Sequence, residues 1–278
     1  MTKAADPALI VFTDLDGTLL DHETYSHAPA LPALAALRRL KIPLVLASSK
    51  TAAEIAPLRA ELGFEDCPAI VENGAGILQP GLIRPDRERT HERLLAALAD
   101  LPIDLRRNFS GFSDWSPAET GARTGLDPRA AARARQRDFS EPGLWLGDAD
   151  GLRDFMAALS FAKITAAQGG RFLTLSFGAN KAWRMREIVA GFFAGRVRAG
   201  KAPLTVIALG DAPNDVDMLE QADIGIVIAN PAQPGGLKLC GDSIGTIRRE
   251  TRPGPQGWNQ AILAVIEERD LEKGILDG

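Results

Sequence analysis

The sequence is poor in cysteine, with only Cys67 and Cys240 among its 278 residues. The two are far apart and lie in no Cys-x-x-Cys or Cys/His pattern, so neither a disulfide framework nor a zinc site is expected. No apolar stretch approaches the roughly 20 residues that a membrane-spanning helix needs. The residues before Leu9 contain no secretory signal, and we therefore expect a cytoplasmic protein with no membrane partner.

The sequence also lacks an excess of basic residues. Lys and Arg number 32 against 36 Asp and Glu, which gives a formal net charge of −4. A general nucleic-acid binder would usually be basic overall, so no nucleic-acid partner is expected. Apolar residues make up 45% of the chain. That fraction excludes a disordered chain and is enough for a hydrophobic core that needs neither disulfide bonds nor a structural metal.

Short apolar runs alternate with helical patterns in the first and last parts of the chain. The apolar runs predict strands at Leu9–Thr13, Pro43–Ala47, Ala69–Val71, Leu204–Leu209 and Ile224–Ile228. Apolar residues at helical spacing predict helices at Ala30–Leu40, Thr51–Leu62, Lys181–Phe193 and Asp215–Gln221. This alternation is typical of an α/β protein with a Rossmann-like parallel sheet, covered on both faces because its strands are almost entirely apolar.

The middle of the chain, residues 84–176, has a different pattern. It contains 14 basic residues, nearly all arginine, and 13 acidic residues. Helices are predicted at Glu92–Leu101, Pro117–Thr124 and Pro128–Arg137, and strands at Gly143–Leu146 and Arg171–Leu175. We predict an α+β cap domain at 84–176, inserted into a core domain made of 1–83 and 177–278. Near the end, Pro253-Gly254-Pro255 predicts a loop.

Two carboxylates, Asp14 and Asp16, stand just beyond the first predicted strand. Burial and mutual repulsion both oppose their ionisation unless a cation is near. Ligands of open α/β sheets bind at the carboxyl ends of strands. One alternative is a solvated Asp-rich turn. Another is a calcium loop, but Leu19 and Leu20 interrupt the series of oxygen ligands that such a loop needs.

Two further polar residues, Ser48 and Lys181, stand at the ends of predicted elements. Ser48 ends the second strand and enters a helix, where free N–H groups suit a phosphate oxygen. Thr51 and Glu54 predict a capping box at the same helix. Lys181 begins a helix, an unfavourable place for a cation unless an anion is near. A surface lysine with no role is the alternative.

The last polar cluster follows the strand predicted at Leu204–Leu209. It contains Asp211, Asn214 and Asp215. Asn, Asp and Pro are also the residues that a tight turn uses. The combination of four polar clusters at strand ends nevertheless predicts one crevice where they meet.

These four clusters resemble the motifs of the haloacid dehalogenase superfamily of phosphohydrolases. In order they are Asp14-Leu15-Asp16-Gly17-Thr18, Ser48, Lys181 and Gly210-Asp211-x-x-Asn214-Asp215. The insertion between the second and third motifs resembles the subgroup with a large α/β cap. Further motifs are similar to those of mannosyl-3-phosphoglycerate phosphatases: Ser48-Ser49-Lys50-Thr51-x-x-Glu54, Glu72-Asn73-Gly74-Ala75, Gly111-Phe112-Ser113-Asp114, Arg137-Asp138-Phe139-Ser140-Glu141-Pro142 and Gly169-Gly170-Arg171-Phe172. One departure is Asn180-Lys181-Ala182, where the family often has Asp-Lys-Gly.

The resemblance implies a Mg²⁺-dependent phosphomonoesterase that acts on a glycosyl-3-phosphoglycerate, in the first place the mannosyl compound. Asp14 is then the nucleophile that forms an aspartyl phosphate, and Asp16 is the general acid and base. Ser48 and Lys181 hold phosphate oxygens. The alternatives are another sugar-phosphate phosphatase, a phosphomutase, or an inactive phosphate-binding regulator.

The resemblance also implies the binding residues. Mg²⁺ is expected at Asp14, Asp16 through its backbone carbonyl, Asp211 and Asp215. For the small phosphorylated substrate we expect contacts from Ser48, Lys181, Asn73, Asn214 and Arg171. Arg171 is the first choice for a glycerate carboxylate, because arginine can hold a carboxylate with two hydrogen bonds. Arg135 and Arg137 are further candidates.

Overall fold

The structure is a computed structural model that describes residues 9–85, 89–169, 171–198, 204–233 and 235–269. The chain divides into two compact units. The first contains the described residues through Ser48, Arg59–Ile70, and the described residues from Asn180 onward. The second contains Ser49–Leu58 and Val71–Ala179. The assignment of 84–176 as a cap stays a prediction.

The described residues form eleven strands and ten α-helices. The strands are β1 (Leu9–Thr13), β2 (Leu44–Ala47), β3 (Ala69–Val71), β4 (Gly76–Leu78), β5 (Phe109–Gly111), β6 (Ser140–Trp145), β7 (Thr165–Gly169), β8 (Phe172–Ser176), β9 (Thr205–Gly210), β10 (Ile224–Ala229) and β11 (Ile247–Pro253). The helices are α1 (Leu31–Arg39), α2 (Ala52–Glu61), α3 (Thr90–Ala99), α4 (Ile103–Arg106), α5 (Pro117–Thr124), α6 (Pro128–Ala134), α7 (Ala149–Phe161), α8 (Lys181–Arg198), α9 (Val216–Gln221) and α10 (Gly254–Glu268).

A seven-stranded sheet has the order β11-β10-β9-β1-β2-β3-β4. The pairs from β11 through β3 are parallel, and Thr13 lies opposite Leu46 on one side and Leu209 on the other. Every residue of β1 and β2 is buried. The predicted parallel sheet is therefore confirmed. Its register places the carboxyl ends of β1, β2 and β9 side by side, which positions the residues that follow them.

The second unit contains a four-stranded antiparallel sheet with the order β5-β6-β8-β7. Its core combines residues from α3, α7 and the sheet: Leu94, Leu98, Phe109, Phe155, Leu159, Ile164, Leu173 and Leu175. Helices and antiparallel strands packed in this way are the α+β architecture expected for the insertion. The fold class predicted from the sequence, a Rossmann-like parallel core with an α+β insertion, is confirmed.

The prediction of a loop at Pro253-Gly254-Pro255 is wrong. Pro253 ends β11, and α10 begins directly at Gly254. Proline is accepted in the first turn of a helix because the N–H that it lacks would have no intrahelical partner there. Gly254 has φ +55°, a backbone conformation that glycine adopts without strain.

Among all the described helices, none combines the length and apolar character of a bilayer-spanning segment.

Candidate active site

Asp14 follows β1 directly and begins a tight loop. Gly17 has φ +83° in this loop, and a Cβ atom there would lie 2.7 Å from Oδ2 of Asp211. Only glycine therefore fits at this position. Thr18 is fully buried and donates its hydroxyl to Oδ1 of Asp211 at 2.7 Å. The loop after β1 and the loop after β9 are thus tied together at one carboxylate.

Lys181 is the first residue of α8, and it is only 2% exposed. Its Nζ donates to Oδ1 of Asp14 at 2.6 Å and to Oδ1 of Asp215 at 2.7 Å. These carboxylates supply the anionic partner that a lysine at a helix N-terminus needs. The hydrogen bond from Lys181 engages Oδ1 of Asp14, and Asp14 as a whole is 7% exposed.

Asp215 is held by the loop that carries it. Its Oδ2 accepts the backbone N–H of Asp211 at 3.2 Å and of Ala212 at 3.1 Å. A Cβ atom at Gly210 would lie 2.5 Å from Cβ of Asp215, so glycine is required at the end of β9. The Gly-Asp-x-x-Asn-Asp pattern is therefore a geometric unit in which the glycine makes room for the last carboxylate.

Asp211 has both oxygens engaged. Thr18 donates to Oδ1, and Asn230 Nδ2 donates to Oδ2 at 2.7 Å. Asn230 follows β10, and sequence reasoning missed it. The signal that could have found it is its position just beyond a buried strand, which it shares with Asp14, Ser48 and Asp211.

One carboxylate oxygen each from Asp14, Asp211 and Asp215 lie within 4.8 Å of one another, and all three residues are buried. Burial raises the pKa of Asp14 to about 8, although Lys181 opposes the shift. Burial also raises the pKa of Asp211, against the hydrogen bond from Thr18. These shifts mean that a negative charge is costly here without a further cation.

Lys181 carries the compensating charge within the site. Burial alone would lower the pKa of its ammonium group, but the carboxylates of Asp14 and Asp215 outweigh that effect and raise it. Lys181 therefore stays protonated at neutral pH. When all three carboxylates are ionised, one ammonium leaves an excess of negative charge that a divalent cation would balance. Carboxylate oxygens are the donors that hard cations such as Mg²⁺ prefer, so these residues fit a metal.

The other residues predicted from the core motifs follow β1, β2 and β9. Ser48 follows β2, is buried, and donates its backbone N–H to Ile70. The predicted capping box is confirmed: the N–H of Thr51 donates to Glu54 Oε2 at 2.9 Å, and the N–H of Glu54 donates to Thr51 Oγ1 at 3.2 Å. Asp16 is half-buried in the loop after β1, and Asn214 is exposed in the loop after β9.

In the second unit, Glu72 and Asn73 adopt left-handed backbone conformations, with φ +51° and +60°. The fully buried carboxylate of Glu72 accepts the N–H groups of Asp138 and Ser140, both at 2.8 Å, and lies 3.3 Å from Nε of Arg137. Strained backbone is typical of functional segments. Arg137 is paired and almost wholly buried in this network, so its guanidinium serves the fold of the second unit.

The remaining motifs of the insertion meet in the second unit. The buried carboxylate of Glu141 accepts the N–H of Ser113 at 2.7 Å and lies 2.7 Å from Nε2 of His91. Phe112 packs edge-on against Phe172, with ring centroids 5.5 Å apart. Arg171, predicted to bind substrate, is exposed, while Gly170 of the same motif lies outside the described residues.

The haloacid dehalogenase-like hydrolase family matches residues 11–95 and 175–235, ranges that contain all four motifs. The chain is a haloacid dehalogenase-like hydrolase. One relative, the glucosyl-3-phosphoglycerate/mannosyl-3-phosphoglycerate phosphatase of Persephonella marina, is 34% identical across 96% of this chain and 99% of that protein. The protein is accordingly a phosphoric monoester hydrolase.

Solved structures share the fold. A haloacid dehalogenase-like hydrolase from Bacteroides thetaiotaomicron superposes with a TM-score of 0.63 at 19% identity, covering 92% of this chain and 99% of that one. The sucrose-phosphatase of Synechocystis sp. PCC6803, solved with sucrose and phosphate, has a TM-score of 0.58 at 16% identity, covering 95% and 98%. At this level of identity the likeness establishes the architecture.

Proposed function

We propose that this phosphatase hydrolyses a glycosyl-3-phosphoglycerate, in the first place mannosyl-3-phosphoglycerate, through an aspartyl phosphate and with Mg²⁺ bound. The observation that carries the proposal is the pair of hydrogen bonds from Lys181 to Asp14 and Asp215. They hold one oxygen of Asp14, and the other is the proposed reacting atom. The proposed substrate is the one after which the Persephonella marina relative is named.

In the first half-reaction, Oδ2 of Asp14 attacks phosphorus, and a new O–P bond forms as the bond to the glycerate oxygen breaks. Asp16 gives its proton to the departing alkoxide, so that the product leaves as an alcohol. Lys181 orients Asp14 and, with Ser48, holds phosphate oxygens. These interactions are aimed at charge that develops on the transferring group.

In the second half-reaction, Asp16 takes a proton from a water molecule, and the water oxygen attacks phosphorus. The O–P bond to Asp14 breaks, which regenerates the carboxylate and releases inorganic phosphate. Splitting one displacement into two in this way is the general advantage of a covalent intermediate. Asn214 would orient the loop after β9 or contact the phosphate.

The metal would be held by the side chains of Asp14, Asp211 and Asp215, together with the backbone carbonyl of Asp16. When bound, Mg²⁺ would neutralise the repulsion between an anionic nucleophile and an anionic phosphate. The hydrogen bonds from Thr18 and Asn230 restrict Asp211 to one orientation before any cation arrives.

Substrate selection is assigned to the predicted cap, residues 84–176, with Arg171 toward the glycerate carboxylate and Asn73 as a further contact. An inserted domain can supply the groups that recognise the leaving group of a substrate. The partner is thus a small phosphorylated sugar or glycerate.

The test is phosphate release from a substrate panel with Mg²⁺. Mannosyl- and glucosyl-3-phosphoglycerate should be turned over at least 10-fold more efficiently than hexose phosphates. Equal or better turnover of hexose phosphates would favour a general sugar phosphatase. An isomerised sugar phosphate in place of free phosphate would favour a phosphomutase. Asp14→Asn should abolish turnover with an unchanged unfolding temperature, and an active variant would refute the mechanism.

A further inference from the structure

The residue before Lys181 departs from the related motif, and its side chain uses both ends of its amide. Asn180 accepts the backbone N–H of Trp183 through Oδ1 at 3.1 Å, and it donates through Nδ2 to Oδ2 of Asp217 at 2.7 Å. A backbone N–H can only donate and a carboxylate can only accept, so these two partners fix the orientation of the amide. All of these residues belong to the first unit.

The contact with Trp183 is a helix N-cap. Lys181 is the first residue of α8, so Trp183 is the third, and its N–H is one of those that have no partner inside the helix. Asparagine is a preferred N-cap residue for this reason, but aspartate and serine serve about equally well. The cap therefore explains why residue 180 is polar, and it does not explain why this residue is an asparagine.

The contact with Asp217 requires a donor, which an aspartate at position 180 would lack. Asp217 is exposed in the first turn of α9, two residues after Asp215. An aspartate at position 180 would bring two carboxylates to the place where the native amide and carboxylate lie 2.7 Å apart, and like charges at that distance repel each other. The asparagine that replaces the aspartate of the related motif is thus matched to Asp217.

Two adjacent residues at the start of α8 therefore bind two acidic residues that follow β9. Lys181 donates to Oδ1 of Asp215, and Asn180 donates to Oδ2 of Asp217, both at 2.7 Å. With one contact the start of α8 could rotate about Asp215, whereas two contacts hold its orientation. The same ammonium group donates to Oδ1 of Asp14 at 2.6 Å. The orientation of α8 thus decides where this positive charge lies beside Asp14.

We propose that Asn180 is a positioning residue for phosphoryl transfer at Asp14 and that it acts through its hydrogen bond to Asp217. The bond holds the start of α8 against α9 and thereby keeps the ammonium group of Lys181 at hydrogen-bonding distance from Asp14. Small displacements of a group that orients a nucleophile are costly to the rate. The proposal rests on the proposed function only in taking Asp14 and Lys181 as catalytic residues, and it does not depend on the identity of the natural substrate.

The test separates the bond to Asp217 from the helix cap. Asn180→Asp keeps a good N-cap but replaces the donor with a second carboxylate, and Asn180→Ser keeps a cap without adding charge. We expect kcat for p-nitrophenyl phosphate to fall about 10-fold in the first variant and about 5-fold in the second. Because both variants keep the cap, the free energy of unfolding, measured with urea, should change little. Asn180→Ser also provides the comparison if Asn180→Asp fails to fold.

A double variant, Asn180→Asp with Asp217→Asn, exchanges the two partners. Residue 217 then donates to residue 180, the cap remains, and the net charge equals that of the native chain. Its kcat should return to within about 3-fold of the native value, because contacting residues are coupled and the exchange restores their hydrogen bond. Glu187→Gln is the matched control, since it removes an ion pair with Arg184 in the same helix, and it should leave kcat unchanged.

Native kcat in both Asn180→Asp and Asn180→Ser would overturn the proposal. A double variant no more active than Asn180→Asp would overturn it as well, as would a loss of kcat that only follows a loss of folded protein. Failure of the proposed function looks different, because Asp14→Asn and Lys181→Ala would then remain active. If the positioning role alone fails, Lys181→Ala is inactive while the variants at Asn180 keep native kcat.

Discussion

Trp258 donates its indole N–H to Oγ1 of Thr13 at 2.9 Å, although 245 positions separate the two residues in sequence. The hydroxyl of Thr13 in turn donates to the backbone carbonyl of Asp14 at 2.7 Å. Trp258 and Thr13 are fully buried. A residue of α10 thereby restricts the peptide group of the proposed nucleophile.

Trp258→Phe should remove this hydrogen bond while keeping most of the buried aromatic volume. Because Thr13 Oγ1 then lacks its donor, we expect the free energy of unfolding to fall by about 1 kcal/mol. We also expect kcat for p-nitrophenyl phosphate to fall several-fold, since small displacements at a reacting group are costly. Trp183→Phe is the control, because Trp183 is 58% exposed. An unchanged kcat in Trp258→Phe would show that the bond serves stability alone.

Mg²⁺ binding should release protons at pH 7. Burial raises the pKa of Asp14 to about 8 in the metal-free protein, and a carboxyl group must lose its proton to ligate a cation. Apparent affinity should therefore rise with pH until Asp14 is ionised and then level off. Calorimetric titration in buffers of different ionisation enthalpy measures the protons released, which should approach zero above about pH 9. Asp14→Asn should remove this release, and an enthalpy that is independent of buffer at pH 7 would contradict the prediction.

Asn230→Ala should weaken Mg²⁺ binding about 10-fold or more, as is usual when a group that orients a ligand is lost. The reason is that Oδ2 of Asp211 then loses the hydrogen bond that holds it at 2.7 Å. Isothermal titration with MgCl₂ measures the affinity independently of turnover. The control is Asn259→Ala, since the side chain of Asn259 accepts from the backbone N–H of Ala33 in α1. Equal affinities in the two variants would count against a role for Asn230.

Glu72→Gln should destabilise the second unit by about 3 kcal/mol, because it leaves the buried guanidinium of Arg137 without its charge partner. Urea unfolding measures the loss. Asp150→Asn removes one partner of an exposed ion pair with Arg153, and it should cost under about 0.5 kcal/mol. If both variants lost the same stability, burial would not be the cause. Adding Arg137→Met to Glu72→Gln should recover part of the loss.

The core of this fold was predictable because its strands are buried on both faces. A short, continuous apolar run such as Leu9–Thr13 favours a buried strand over other secondary structures. The structure places β1 at those residues. Placement of Asp14 and Asp211 beside one another then follows from parallel pairing alone, since neighbouring carboxyl ends share one edge of the sheet.

The contacts from Asn230 and Trp258 were not predictable in the same way. Each joins residues that are distant in sequence, and no local pattern distinguishes an asparagine that orients a carboxylate from one that ends a strand. Both depend on how α10 and the loop after β10 pack in three dimensions.

The second unit was predicted less completely, for a different reason. The strand β7, residues Thr165–Gly169, is largely exposed and shows neither an apolar run nor alternation. The helix α7 was missed because Asp150, Arg153 and Asp154 interrupt the apolar spacing of Phe155 and Leu159. Pairing with β8 and packing in the core decide these elements, and local propensity does not.

The stacking of Arg123 on Trp115 also gives the protein an optical reporter. Of the four tryptophans in the chain, Trp115 has its ring centroid 4.7 Å from Cζ of Arg123. Indole emission responds to the charge beside the ring, so an anion that draws the guanidinium away should change the fluorescence of Trp115. With Trp145 and Trp183 replaced by phenylalanine and Trp258 kept for activity, changes around Arg123 could be followed without any added label.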